Sequence, residues 1–384
     1  MSDHSDNEVT INRGLKGIYF ERSAISSIDG RAGELCYRGY SIHDLAQHST
    51  FEETAYLLLE GELPDTAELQ AFDTALKASR ALPEAIVDVI RVLQHSHPME
   101  VLRSTASALG TFDTDVNDDS RDAVLRRGIA LSAQVPTIVA THHRLRSGYD
   151  PVDPDPDLSH AANFLYMLKG ERPSSDAANL MDKDMILLAE HGSNASSFAA
   201  RVVSGTGANL YAALTAAIGA LSGPAHGGAA EDVMKMAQEI GEPANAADYV
   251  RTKRKNREPI MGFGHRVYRA EDPRARHLRA GVDQLSREMG EPHWFEILQA
   301  VEQAMARYAR LGVNVNVDFY AGVIYHLLGI PEDIFVPIFA IGRVPGWTAQ
   351  VLEQIESNIL IRPLTLYNGA DTRPYVHISD RNAS

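Results

Sequence analysis

The chain has 384 residues, which is long for a single core, so one large or two interlocked domains are expected. With 44% hydrophobic and 23% charged residues it has the composition of an ordinary globular protein, while a formal net charge of −15 disfavours nucleic acid or an anionic membrane as its main partner. The single cysteine, Cys36, excludes an intramolecular disulfide and points to a reducing compartment; the polar first residues, MSDHSDNEVTINRG, carry no secretory signal, so a cytoplasmic location is expected.

Near the N-terminus, IYFERSAISSIDGRAGELCYRG has short runs punctuated by glycines, which predicts small hairpins. Helical periodicity then dominates. TFEETAYLLLEG spaces Thr50 and Glu53 as a capping box, puts Phe51, Ala55, Leu58 and Leu59 on one face, and stops at Gly61. LPEAIVDVIRVLQ places Pro83 at a first turn and stripes Ile86, Ile90 and Leu93. Two acidic stretches, TDVNDDSRD (114–122) and GYDPVDPDPDLSH (148–160), are expected as surface loops; the first lacks the glycine and glutamate spacing of an EF-hand. LYAALTAAIGAL (210–221) is too short to span a bilayer and predicts a buried helix. FEILQAVEQAMARYARLG (295–312) is again helical in pattern. The fold class is therefore all-α with a minor N-terminal β element.

Four segments place a polar residue among glycines or small residues at an element end: AEHGSNAS with His191, SGPAHGGA with His226, GFGHRVY with His265 and NVNVDFYAG with Asp318. A lone histidine is most often structural, and spacing alone does not show that the four converge. Zinc is disfavoured because no histidine pair has the i, i+4 spacing of HExxH, and no metal ligand is assigned. GFGHRV lacks the third glycine of a dinucleotide fingerprint, and no GxSxG is present.

In order and spacing, GPAHGG, IMGFGHRVYRAEDPR, NVDFYAG, FAIGRVPGWTAQVLEQ and LIRPLTLYNG resemble citrate synthase, and the resemblance runs from GLKGIYF near residue 14 to RPYV near the end. It implies condensation of acetyl-CoA with oxaloacetate and hydrolysis of citryl-CoA to citrate and CoA, the first step of the tricarboxylic acid cycle. Asp318 resembles the base that removes a proton from the thioester methyl group; a carboxylate in a dry cleft is a stronger base than one in water. His226 resembles the group that hydrogen-bonds the enol oxygen, and its place where a helix begins favours a neutral imidazole. His265 resembles the group that polarises the ketone of oxaloacetate. Arg274, Arg343 and Arg362 match the arginines that bind the two substrate carboxylates, with His191 reaching the substrate as well. Met261, Gly262, Phe263 and Gly264 match backbone that meets the CoA adenine, and Arg269 is the first candidate for a CoA phosphate. The five cations of RTKRKNR (251–257) fit either CoA phosphates or a solvated basic face. The chain departs from the family's usual residues at Ala230, Val315 and Ala321.

The resemblance further implies no tightly bound cofactor, acetyl-CoA as co-substrate, and a homodimer with a shared active site, leaving larger homo-oligomers open. It places a large helical domain at 1–222 and 326–384, with a smaller one at 223–325 that closes over oxaloacetate. Three rivals stand beside this reading: a 2-methylcitrate synthase using propionyl-CoA, a non-catalytic CoA-binding regulatory protein, and a zinc hydrolase.

Overall fold

The computed structural model describes residues 10–381, so Met1–Val9 of the polar leader lie outside it. The expected hairpins form one antiparallel meander, β1 (Ser26–Asp29), β2 (Glu34–Tyr37) and β3 (Tyr40–Ser41), with Ser26 opposite Tyr37 and Asp29 opposite Glu34. The remaining regular structure among the described residues is helical. The first helices are α1 (Ile42–His48), α2 (Phe51–Glu60), α3 (Thr66–Ala78), α4 (Glu84–Val92), α5 (Pro98–Leu109) and α6 (Arg121–Arg146). Next come α7 (His160–Lys169), α8 (Ser175–Leu188), α9 (Ala195–Ser204), α10 (Leu210–Leu221) and α11 (Ala229–Ile240). Then follow α12 (Ala246–Lys255), α13 (Ala275–Glu288), α14 (His293–Met305), α15 (Asp318–Leu327) and α16 (Phe335–Glu356). The chain is all-α with a small sheet.

Local signals act as the sequence predicts, with three differences. Thr50 Oγ1 accepts the Glu53 amide at the start of α2, and Gly61 ends it in the left-handed region, but the reciprocal half of a capping box forms instead between Asp65 and Glu68 at the start of α3. Pro83 stands one residue before the first turn of α4 rather than inside it. The pattern through 295–312 is helical only to Met305; a 3-10 segment, Ala306–Leu311, follows and ends at Gly312.

The core is organised around α16, which packs on α6, α8, α9, α10 and α2. The stretch Glu332–Glu356 is long and apolar enough to cross a membrane, yet its apolar window is wholly buried inside the protein. Two close approaches fix how these helices pack. A Cβ on Gly346 would lie 2.0 Å from the Ala189 carbonyl oxygen, so only glycine lets α16 pass this near the end of α8. A Cβ on Gly322 would lie 2.3 Å from the Ala230 carbonyl oxygen, so α15 lies directly against the start of α11. The first contact carries Arg343 and Trp347 toward the His191 loop. The second carries Asp318 toward the turn that holds His226. Beyond α16 the segment from Ile359 to His377 forms no helix or strand and is exposed except at the half-buried Ile361.

Candidate active site

His265 sits in the loop between α12 and α13, and its orientation is fixed by backbone. Its Nδ1 accepts the Val267 and Tyr268 amides at 3.0 and 3.2 Å, which leaves the ring proton on Nε2. The loop before it is stitched to the segment leading into α15. The Gly264 amide donates to the Asn314 carbonyl at 2.7 Å, the Asn316 amide to the Gly262 carbonyl at 2.9 Å, and Asn316 Nδ2 to the Gly264 carbonyl at 3.1 Å. Phe263 and Val315 form an antiparallel bridge. Asp318 follows as the first residue of α15, its amide bonded to Asn316 Oδ1 at 3.2 Å. These bonds bring the GFGH and NVNVD motifs into one unit.

Gly262, at φ 75°, turns its bare Cα onto Phe319, where a Cβ would meet the ring at 2.6 Å. Gly264, at φ 88°, has nothing within 4 Å of the same position. Of the two glycines expected beside a ligand, Gly262 serves internal packing and Gly264 faces open space. Met261 and Phe263 pack partly buried against the core. Arg269 is exposed.

His226 lies in the turn before α11, not in its first turn. Its Nε2 accepts the Ser196 amide at 3.3 Å, which puts the ring proton on Nδ1, and lies 2.9 Å from the Ser196 hydroxyl, whose own proton goes to Asn194 Oδ1 at 2.7 Å. Trp347 Nε1 donates to the same hydroxyl at 3.0 Å, tying α16 to this network. His191, buried between α8 and α9, bonds through Nε2 to the Tyr268 hydroxyl at 3.0 Å, with its ring centroid 5.2 Å from that of His265.

The electrostatics follow from burial beside two guanidinium groups. Burial and the Arg343 charge push His226 down to about 4, burial and Arg274 push His265 down to about 4, and burial with Arg274 and His265 holds His191 well below its usual value. All three imidazoles are neutral at pH 7. Burial raises Asp318 to about 6 against the pull of Arg274, with Asp272 adding to the rise and Arg343 opposing it. Neutrality of His226 thus comes from burial and Arg343 more than from a helix end.

The two buried arginines are held differently. Arg274 forks onto Asp272, Nε to Oδ1 at 2.9 Å and Nη2 to Oδ2 at 2.7 Å; burial works against its charge, but Asp272 outweighs that and raises it. Arg343 donates from Nε to the Leu188 carbonyl and lies over the Phe339 ring at 4.7 Å. Its Nη1 is buried and has no hydrogen-bond partner among the described residues. Burial lowers Arg343 to about 10, against the raising effect of Glu190. Arg362 is not brought to this cluster: it lies in the exposed C-terminal segment.

Of the basic run, Arg251 pairs with Asp248 and Lys253 with Glu258, and Arg254 stacks over Tyr308 at 4.8 Å. Among the described residues no group of three or more His, Cys, Asp or Glu side chains is placed to hold a metal.

The whole arrangement can be set beside proteins of known sequence and structure. A family model described as citrate synthase, C-terminal domain, matches residues 14–364. Citrate synthase 2 of Bacillus subtilis is 44% identical over 375 residues, covering 97% of this chain and all of that one. The chain belongs to the citrate synthase family. It is also 42% identical to 2-methylcitrate synthase 1 of Corynebacterium glutamicum, over 98% of this chain and all of that one. The crystal structure of citrate synthase from Pyrobaculum aerophilum superposes with a TM-score of 0.92 at 40% identity, covering 97% of this chain and 95% of that one. Membership makes the protein an enzyme of acyltransferase-type condensation, acting on small molecules.

Several residues of the site carry no signal in the sequence. Glu190 and Ser196 stand within AEHGSNAS and Tyr268 within GFGHRVY, so their segments were marked, but their roles come from partners 30 to 164 residues away and were not assigned from the sequence. Asp272 was legible in principle, since it stands two residues before Arg274 in EDPR.

Proposed function

We propose that the protein is a citrate synthase that condenses acetyl-CoA with oxaloacetate and hydrolyses citryl-CoA, the first step of the tricarboxylic acid cycle, in the cytoplasm. Asp318 takes a proton from the acetyl methyl group, and the Nδ1 proton of His226 stabilises the enol oxygen that forms. The Nε2 proton of His265 polarises the oxaloacetate ketone, so that carbon–carbon bond formation delivers the negative charge beside a donor. Arg274 and Arg343 take the substrate carboxylates with His191 beside them, and a second copy of the chain delivers Arg362. Gly264, the neighbouring Met261, Gly262 and Phe263 backbone, and Arg269 serve CoA. Residues 223–325 form the smaller domain that closes on 1–222 and 326–384, and no tightly bound cofactor is required.

The observation that carries this reading is the unpartnered Nη1 of Arg343. A buried guanidinium donor with no acceptor costs stability unless an anionic ligand completes it. Here it sits in the charge field that acts on His191, His226 and Asp318. The 2-methylcitrate relative keeps propionyl-CoA as the second reading, because one methylene in a pocket is worth only about 1–3 kcal/mol. Thiol release is measured with acetyl-CoA and propionyl-CoA, each with and without oxaloacetate. A kcat/KM at least tenfold higher for acetyl-CoA, dependent on oxaloacetate, supports the proposal; the reverse preference makes the enzyme a 2-methylcitrate synthase.

A further inference from the structure

The N-terminal meander is the only sheet among the described residues, and the chemistry above makes no use of it. Yet it touches both loops that carry the substrate-facing histidines. Ser26, at the start of β1, brackets His191: its hydroxyl accepts the Gly192 amide at 3.1 Å and donates to Glu190 Oε1 at 3.1 Å. The Ile28 side chain lies against Gly192. At the other end of the strand, the Gly30 carbonyl accepts the Arg269 amide at 2.7 Å. The Cα of Gly30 faces the Val267 carbonyl so closely that a Cβ would lie 2.4 Å from its oxygen. Val267 is one of the two residues whose amides hold His265 Nδ1. The Tyr268 hydroxyl closes the loop by bonding His191.

We infer that β1 and its turn are a positioning element for the two histidines, with Ser26 setting the His191 loop and Gly30 setting the His265 loop about 13 Å away along the strand. The strut is stiff because the turn is braced internally. Asp29 Oδ1 accepts the Arg31 and Ala32 amides at 2.8 and 2.9 Å, and the Gly33 amide donates to the Asp29 carbonyl at 2.9 Å. A displacement of either end moves a hydrogen-bonding imidazole, and a misplacement near 1 Å costs about 10²-fold in rate. The inference rests on the proposal that His191 and His265 act on oxaloacetate.

The test uses the full-length enzyme with Gly30→Ala, Ser26→Ala, Ser26→Thr and, as a control on the exposed face of β1, Ser27→Ala. Gly30→Ala should lower kcat about 10–100-fold. In ¹⁵N spectra of histidine-labelled protein, it should also turn His265 from a locked Nε2-protonated ring into a mixture of tautomers. Ser26→Ala should raise the KM for oxaloacetate about threefold to tenfold, the loss of roughly one hydrogen bond, and Ser26→Thr should restore it. Ser27→Ala should match the wild type. Wild-type kinetics and an unchanged His265 spectrum in Gly30→Ala would overturn the inference. If that variant does not fold, the Ser26 pair decides, and a Ser26→Ala enzyme with unaltered KM overturns the Ser26 half. His265→Ala and His191→Ala are run in parallel. If they keep full activity, the functional reading fails while the spectra still report on positioning; if they lose activity and the hairpin variants do not, only the hairpin inference fails.

Discussion

Arg343 and Arg362 match the same ligand role in sequence, and the fold treats them in opposite ways. Arg343 is buried in α16 against the Leu188 carbonyl and the Phe339 ring, ready before any substrate arrives. Arg362 stands in a C-terminal arm without helix or strand, whose Leu360, Leu364 and Tyr367 are 58%, 86% and 76% exposed. Burying a large apolar side chain is worth about 1.5–3 kcal/mol, so an uncovered run of them calls for another surface. Arg343 is preorganised by the chain itself; Arg362 stands exposed and apart from the cluster. A two-fold pairing, in which each copy covers the other's arm, would complete both sites at once.

The preorganised region is tested most severely at Asp318. Asp318→Asn keeps the shape of the side chain and removes the base, and kcat should fall roughly 10²–10⁴-fold. His226→Ala and His265→Ala should do the same by removing positioned donors. A kcat within threefold of wild type, at an unchanged melting temperature, would strike that residue from the mechanism. Next in size is Arg343→Ala, which removes charge-assisted hydrogen bonds to a substrate carboxylate and should raise the KM for oxaloacetate about 10–100-fold. An unaltered KM would mean that the unpartnered Nη1 does not mark the carboxylate site.

The displayed region is tested by mixing. A protomer bearing Arg362→Ala is combined with one bearing Asp318→Ala under conditions that exchange subunits. If Arg362 serves the partner's site, each heterodimer has one site with both groups intact and one lacking both. Random pairing makes about half the dimers hetero, so activity should recover to roughly a quarter of wild type. If Arg362 serves its own chain, every site keeps one lesion and nothing returns. No recovery, with exchange confirmed by mass, would break the contrast drawn between the two arginines.

The same contrast separates what the sequence made legible from what it did not. Periodicity and caps predicted α2, α4 and α10 because those signals act within a few residues, where backbone and burial preferences agree. The histidine and aspartate segments were visible because glycines and small residues flank them, whereas Arg274, Arg343 and Arg362 were legible only through the family resemblance. The close approaches at Gly346 and Gly322 could not be read, since each depends on a carbonyl more than 90 residues distant. The Ser196 hydroxyl on His226 and the Ser26 bracket around His191 are likewise created by tertiary packing.

The smallest expected effect is on stability, and it runs against the loss of activity. Burial raises Asp318 from an ordinary carboxylate value near 3.8 to about 6 in the folded protein. The folded state therefore holds this proton more tightly than the unfolded state. Below about pH 4 both states are protonated and the side chain costs nothing on this account. Between about pH 4 and 6 the unfolded chain ionises this carboxyl in water while the folded protein keeps it protonated, so stability falls across that window and levels off above pH 7, where the folded protein carries the buried charge. Asp318→Asn removes that charge while keeping the volume, so the inactive variant should melt a few degrees higher than wild type at pH 7–8. The difference should shrink toward zero as the pH approaches 4. Melting curves of the two proteins across this range are the measurement. A variant that melts lower than wild type at pH 8 would mean that Arg274 and Arg343 stabilise the carboxylate more than burial penalises it, and that Asp318 is not held ready as a strengthened base.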